Sequence, residues 1–398
     1  LDEELRTATL EAMSARQAAA LVSQMTPDDR ADVLDELEEE HAEDIVAALP
    51  PAERRETEAL LAFDPDTAGG LMTTEFVSVP AHLSVEAALA SVRHVARAGP
   101  REAMYAIYTT DPDGRLAGVM SLRELLAAPE GSSIGDLAWS EVQSVRASAD
   151  REEVARITSD YDLVAVPVVD DAGRVVGVVT VDDVIDVIQE EQTEDVQKLG
   201  GMEALDEPYM QIGFGTMLRK RAGWLSVLFL GQFLTAAAMQ GFAAELAQAA
   251  VLAIFIPLVI SSGGNSGSQA TSLIIRAIAL QEIAPRDWWR VALRELPAGL
   301  ALGAILGILG LLRVLAWDWA GWYDYGPDPV RVGLTIAFAL VGVVTFGSLV
   351  GSMLPFLMKR LGFDPASASA PFVATLVDVT GLLIYFSVAL LLLRGTLL

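Results

Sequence analysis

Thr375-Leu376-Val377-Asp378-Val379-Thr380-Gly381-Leu382-Leu383-Ile384-Tyr385 is the stretch on which the fold turns. It places an aspartate inside the last apolar segment, where a carboxylate at the centre of a bilayer costs about 2.5 kcal/mol or more. Such a group persists where it meets water, a partner or a cation, so Asp378 is the first marker of a conduction path. The competing reading is a buried acid that ties helices together through neighbouring hydroxyls.

Outward from Asp378, the chain beyond Arg221 is a series of apolar stretches of bilayer length, since about 20 helical residues span the hydrocarbon core. Five are expected, at 222–243, 249–281, 290–316, 331–358 and 366–394. Arg219, Lys220, Arg221, Arg276, Arg286, Arg290, Arg294, Lys359 and Arg360 flank them on one side, against Arg313, Arg331 and Arg394 on the other. That asymmetry predicts a cytoplasmic N-terminal half and a C-terminus outside. The connection Trp317-Asp318-Trp319-Ala320-Gly321-Trp322-Tyr323-Asp324-Tyr325 carries the aromatics that settle at headgroup level, as an external loop would.

The second stretch contains Ile256-Pro257-Leu258-Val259-Ile260-Ser261-Ser262-Gly263-Gly264-Asn265-Ser266-Gly267-Ser268-Gln269-Ala270-Thr271. Its proline and glycines predict a broken helix, and irregular backbone at membrane depth survives where it lines a wet cavity or is buried. Exposed carbonyls with Asn265, Ser266, Gln269 and Thr271 would offer oxygens to an ion and its water shell. Close helix packing through small residues is the alternative, and the two are compatible.

The soluble half has the opposite character. The whole chain carries a formal net charge of -27 over 398 residues, and residues 1–207 hold 45 acidic and 15 basic side chains. A surface this negative repels nucleic acid and anionic lipid and gathers cations. No cysteine is present, and His41, His82 and His94 match no zinc spacing, which argues against thiolate or soft-metal chemistry. There is no nucleophile with a paired base and no Gly-Lys-Thr phosphate loop, so an enzyme is not expected. The first residue is Leu1, not methionine, so preceding residues are expected; no signal peptide is visible.

Residues 1–63 show short amphipathic patterns punctuated by Thr26-Pro27-Asp28-Asp29 and Leu49-Pro50-Pro51-Ala52-Glu53, signals for a solenoid-like stack of helices. Residues 64–140 and 141–189 form two related units. In each, an apolar β-branched run meets an Asp/Gly turn, Asp111-Pro112-Asp113-Gly114 or Asp170-Asp171-Ala172-Gly173, and a second run follows. Thr180 with Asp183 three residues on is a helix-start pattern. The doubled pattern resembles the tandem cystathionine-β-synthase (CBS) domain pair. That resemblance implies that Thr180 and Asp183 contact the phosphate and ribose of an adenine nucleotide such as ATP, whereas Glu124 departs from the aspartate in the first unit.

Residues 190–221 are expected to connect these units to the membrane domain, 222–398. On a helix, Glu191, Glu194 and Asp195 share one face, as do Asp182, Asp183 and Asp186, and like charges so placed repel unless cations bridge them. A solvated acidic helix is the plain alternative.

Gly263-Gly264-Asn265-Ser266-Gly267-Ser268-Gln269, Asp364-Pro365-Ala366, the Asp378 segment, Thr67-Ala68-Gly69-Gly70-Leu71-Met72-Thr73 and Thr193-Glu194-Asp195-Val196-Gln197-Lys198-Leu199-Gly200 together resemble the MgtE family of magnesium channels. The resemblance implies a multidomain α+β membrane protein: a helical N-terminal domain, a CBS pair, an amphipathic connecting (plug) helix and five transmembrane helices. It further implies a homodimer in the inner membrane bilayer with the pore on its two-fold axis, formed by Asn265, Ala374, Thr375 and Asp378. Hydrated Mg2+ suits such a sparse oxygen set, because it yields its waters reluctantly. Regulatory Mg2+ would bind Glu191, Glu194, Asp195, Asp364, Asp182 and Asp186 and close the pore, with Asp66 and the acids of residues 28–44 as further candidates. Two other functions are compatible with the sequence: a sodium- or proton-coupled divalent cation carrier or exporter, and a membrane-anchored adenine-nucleotide sensor. The sensor leaves Asp378 unexplained.

Overall fold

The computed structural model describes residues 3–98, 103–205 and 208–394, so the expectation attached to Leu1 lies outside the described residues. The chain divides into two compact units, Leu1–Glu191 and Gln192–Leu398.

The first unit begins with five short helices, α1 (Glu3–Glu11), α2 (Ala15–Val22), α3 (Pro27–Asp35), α4 (Glu39–Ala48) and α5 (Pro51–Leu60). Proline opens α3 and α5, where its missing N–H is no loss, and Asp28 and Asp29 meet the positive end of α3. Leu10, Val22, Leu34, Ile45 and Leu49 close the core of this stack.

Two three-stranded sheets follow. β1 (Phe76–Pro80), α6 (Val85–Ala98), β2 (Ala103–Thr110), β3 (Leu116–Ser121), α7 (Leu122–Ala127) and α8 (Ile134–Leu137) form the first repeat. β4 (Val145–Arg146), α9 (Arg151–Tyr161), β5 (Ala165–Val169), β6 (Val175–Thr180) and α10 (Val181–Leu199) form the second. Each sheet pairs its first two strands in parallel and closes with an antiparallel hairpin. The hairpin turns match atom for atom. Asp111 Oδ1 accepts from the amides of Asp113 and Arg115 at 2.9 and 2.8 Å, and Asp170 Oδ1 from those of Ala172 and Arg174 at 2.9 Å each. Gly114 and Gly173 both sit at φ +81°, where a side chain is strained. α10 runs uninterrupted across the expected division at 189/190.

The second unit holds α11 (Phe214–Gly241), α12 (Ala243–Gln248), α13 (Ala250–Ala279), α14 (Trp288–Trp319), α15 (Pro329–Arg360) and α16 (Ala370–Leu393). α11, α13, α14 with its preceding turn, α15 and α16 are each long and apolar enough to cross a membrane. α15 is the most buried of the five, with Val332, Ile336, Leu340 and Val343 in the core.

One expectation fails here. The second span is not broken: α13 is continuous from Ala250 to Ala279, with Pro257 inside it. Its small residues serve contact with α15. A Cβ on Gly347 or Gly351 would collide with the carbonyl oxygen of Gly263 or Gly267 respectively, so the two backbones touch where side chains would separate them. Thr271 Oγ1 lies 2.9 Å from the carbonyls of both Gly267 and Gly351, and Ser266 and Ser348 hydroxyls meet at 2.7 Å. The carbonyls expected to face an ion are instead held within a regular helix.

Gly351→Ala is therefore predicted to destabilise the membrane unit by about 1–3 kcal/mol, the usual penalty for overpacking. A lowered thermal midpoint in detergent checks this, and an unchanged midpoint contradicts the close approach.

Candidate cation site

A cleft of about 390 Å³, lined in part by polar side chains, opens beside Asp378. One face of α13 supplies Ser261, Asn265 and Ser268, the successive positions that helical periodicity brings together, while α16 supplies Ala374 and Asp378 and α11 supplies Thr235. Gln232 Nε2, one turn from Thr235 on α11, donates to Asp378 Oδ2 at 2.8 Å. The amide is neutral, so it orients the carboxylate and satisfies one lone pair without cancelling the charge. The Thr235 hydroxyl is buried and has no hydrogen-bond partner among the described residues.

Asn265, Ala374 and Asp378 thus come together as expected, but Thr375 does not join them: its hydroxyl donates to the Pro371 carbonyl at 3.0 Å, away from the cleft lining. Ser266 and Thr271 face α15 instead. Gln232 and Thr235 were not singled out from sequence. The signal for Gln232 was an amide standing within Leu228-Phe229-Leu230-Gly231-Gln232-Phe233-Leu234.

The acids of α10 are arranged differently from the bare repelling set that their spacing suggests. Lys198 Nζ lies 2.6 Å from Asp364 Oδ2 and also binds Glu194. Burial works against the Lys198 charge, but its bonds to Asp364 and Glu194 outweigh this and hold its pKa above the usual lysine value. Asp364 Oδ1 accepts from the Ala366 amide at 2.8 Å, which fixes the turn before α16. In the first unit, Arg151 reaches Glu191 at 2.6 Å, Glu190 at 3.2 Å and Asp66 at 3.3 Å. Glu191 and Glu194 are thus each paired with a different cation of the chain itself, Arg151 and Lys198. Asp182 and Asp186 are exposed and Asp195 is partly buried on the same helix. Among the described residues, no three His, Asp or Glu side chains converge in a geometry that could hold a metal ion.

Thr180 is 4% exposed, and its Oγ1 donates to Asp183 Oδ2 at 2.6 Å. In the first repeat, Ser121 and Glu124 make a reciprocal helix cap instead: Glu124 Oε2 accepts from the Ser121 amide at 2.8 Å and Ser121 Oγ from the Glu124 amide at 3.1 Å. Asp183 has a different neighbourhood. Burial pushes its carboxyl up to about 7, and Asp28, Asp182 and Asp32 add to this, while the Thr180 hydroxyl works the other way. Asp32 is likewise pushed up to about 7 by burial and then by Asp28, Asp29 and Glu36. Asp28 is 5% exposed, raised by burial, and its Oδ1 has no partner among the described residues. The N-terminal helices and the second CBS repeat therefore share one field of acids, of which Asp28 is buried, Asp183 half-buried and Asp32 exposed at its edge.

Five bilayer-length helices, three of which (α11, α13 and α16) line a carboxylate-bearing cleft, preceded by a CBS pair, define a multi-pass membrane transporter with an N-terminal soluble module. Profile matches follow the same order: the MgtE intracellular N domain at residues 1–66, CBS domains at 68–131 and 134–190, and MgtE, described as a divalent cation transporter, at 256–388. A magnesium transporter MgtE of Thermus thermophilus is 44% identical over 372 residues, covering 92% of this chain and 80% of that protein. One from Enterococcus faecalis is 36% identical over 343 residues, covering 86% of this chain and 72% of that protein. The crystal structure of the soluble part of a magnesium transporter, 36% identical, aligns with 47% of this chain and 73% of that chain at a TM-score of 0.45. The chain belongs to the MgtE family, a family of transporters and not a class of enzymes.

Two outcomes are predicted. Gln232→Leu removes a hydrogen bond to a charged group, an interaction of about 1.5–3 kcal/mol, so the apparent KM for the transported cation should rise about tenfold or more. An unchanged KM would show that Asp378 needs no orienting partner. Asp32 and Asp183 bind protons more tightly folded than unfolded, so they favour the fold below about pH 4 and progressively lose that contribution as pH climbs to about 7. Asp32→Asn should therefore raise the thermal midpoint of the soluble unit by a few degrees at pH 8 and by well under half as much at pH 5; equal shifts at both pH values contradict the shared acid field.

Proposed function

We propose that the protein is a magnesium channel of the inner membrane, working as a homodimer with its pore on the two-fold axis. The observation that carries this reading is Asp378 in the interhelical cleft, beside Asn265 and Thr235 and oriented by the neutral Gln232. The names of the relatives, magnesium transporters from two bacteria, supply the ion.

The chemistry fits a hydrated ion. Mg2+ demands octahedral oxygen coordination and keeps several of its waters, so one carboxylate from each copy, with hydroxyls and amides around it, can recognise the water shell without a full protein cage. Two facing carboxylates attract cations and disfavour anions. α11 offers Leu225, Phe229, Leu230 and Leu234 to its surroundings, an apolar face suited to lipid or a second copy. The nine basic flanking residues on one side, against three on the other, favour a cytoplasmic soluble half and an outside C-terminus.

Gating follows from charge competition. Glu194 and Asp364 are held by Lys198, and Glu191 by Arg151, so these acids are neutralised at the expense of two cationic side chains. Mg2+ at Glu191, Glu194, Asp195 and Asp364, with Asp182 and Asp186 at the exposed edge, would favour the compact closed state; its loss would shift the population toward opening. Asp28, Asp32 and Asp183 extend the same logic, since a bound cation would lower the penalty of keeping them ionised. ATP at Thr180 and Asp183 requires the Thr180 hydroxyl to leave Asp183, which couples nucleotide and cation at one carboxylate.

Mg2+ flux into proteoliposomes tests the reading. Asp378→Asn should reduce flux at least about tenfold, because hydrogen bonds to a charged group are worth about 1.5–3 kcal/mol, while leaving the thermal midpoint and the oligomeric mass in place. Unchanged flux removes Asp378 from the path.

A further inference from the structure

A second cleft, of about 880 Å³ and more apolar, lies between the start of α14, the end of α15 and Leu376 of α16. Its walls are apolar, formed by Trp288, Met353, Leu357 and Leu376, and its rim carries Arg286, Lys359 and Arg360. No acid lines it. Arg286 belongs to the turn Pro285–Asp287 that leads into α14, and Lys359 and Arg360 are the last two residues of α15.

The charge on this rim is uncompensated. Among the described residues no carboxylate pairs with Arg286, Lys359 or Arg360. The adjacent Asp287 is spent on Arg290 at 3.3 Å and on the Ala284 amide at 3.1 Å. The N-terminus of α14 begins beside Arg286, and the positive end of a long helix adds to the attraction for an anion. All three cations lie at helix ends, the depth of lipid headgroups, while the walls below them run along the apolar bodies of α15 and α16.

We propose that this cleft holds one anionic phospholipid, its phosphate against Arg286, Lys359 and Arg360 and its acyl chains along Met353, Leu357 and Leu376. A basic pocket between transmembrane helices at the interface is the arrangement that selects anionic over zwitterionic headgroups. A soluble phosphate would meet the rim but leave the apolar walls in water, so both halves of a phospholipid are needed to complete the site. Lys359 and Arg360 end the helix whose following turn carries Asp364, so a bound headgroup also anchors the start of that turn. The site requires that the chain spans a membrane and is independent of which cation it transports.

Native mass spectrometry of the full chain tests the proposal, counting lipids retained from micelles doped with phosphatidylglycerol or phosphatidylcholine of the same acyl length. The wild type should retain phosphatidylglycerol preferentially. R286Q, K359Q and R360Q should each weaken retention about fivefold, the effect of one basic residue near an anionic surface, and the combined variant should lose the preference. R394Q, at the far end of α16, should keep it. Equal retention of the two lipids by the wild type, or unchanged retention in the combined variant, overturns the proposal. So does glycerol phosphate competing as well as the lipid, which would mark a free phosphate site. A change of oligomeric mass without a change in lipid retention also overturns it, by assigning the cleft to contact between copies. If the combined variant does not assemble, the three single variants carry the same comparison.

Discussion

A carboxylate inside a bilayer-length helix sets the terms for the membrane unit, because it must be compensated without being neutralised. Asp378 meets this demand through Gln232, an uncharged donor at 2.8 Å, and through a cleft whose other polar groups are hydroxyls and an amide. A lysine in place of Gln232 would satisfy the acid and close the site to cations. An apolar residue would leave the acid without an oriented partner. The neutral amide is the choice that leaves one negative charge available in a defined position.

Holding that position requires rigid walls, and these come from backbone contact. Gly263 and Gly267 on α13 meet Gly347 and Gly351 on α15 so closely that no side chain fits between them. With this face of α13 committed to α15, the residues toward the opposite side of the helix, Ser261, Asn265 and Ser268, are left to line the cleft. The soluble acids follow the inverse rule. Glu191 and Glu194 are compensated by full charges, Arg151 and Lys198, in ion pairs that are partly exposed.

Much of this was legible from sequence because it depends on length, period and turn chemistry. Five apolar stretches of bilayer length became five helices, and the two Asp/Gly turns became two matching hairpins. The departures share a cause, which is that tertiary contact decides the fate of small and polar residues. Glycine and proline in 256–271 read as a broken helix, but glycine also permits close packing, and no local pattern distinguishes the two uses. Gln232 lies 146 residues from Asp378, and Asp183 meets acids from α3 that share no motif with it. Like-charge spacing on α10 marked Glu191, Glu194 and Asp195 as one acidic face, but the pairing of two of them with Arg151 and Lys198 is visible only in the fold.

Electrical recording from the reconstituted protein, with Mg2+ as the sole permeant cation, tests most directly whether Asp378 lies on a continuous path. Unitary current steps, diminishing as Mg2+ is raised on the side of the soluble unit, are the predicted result. Absence of steps, with Mg2+ movement that requires a sodium or proton gradient, would contradict it.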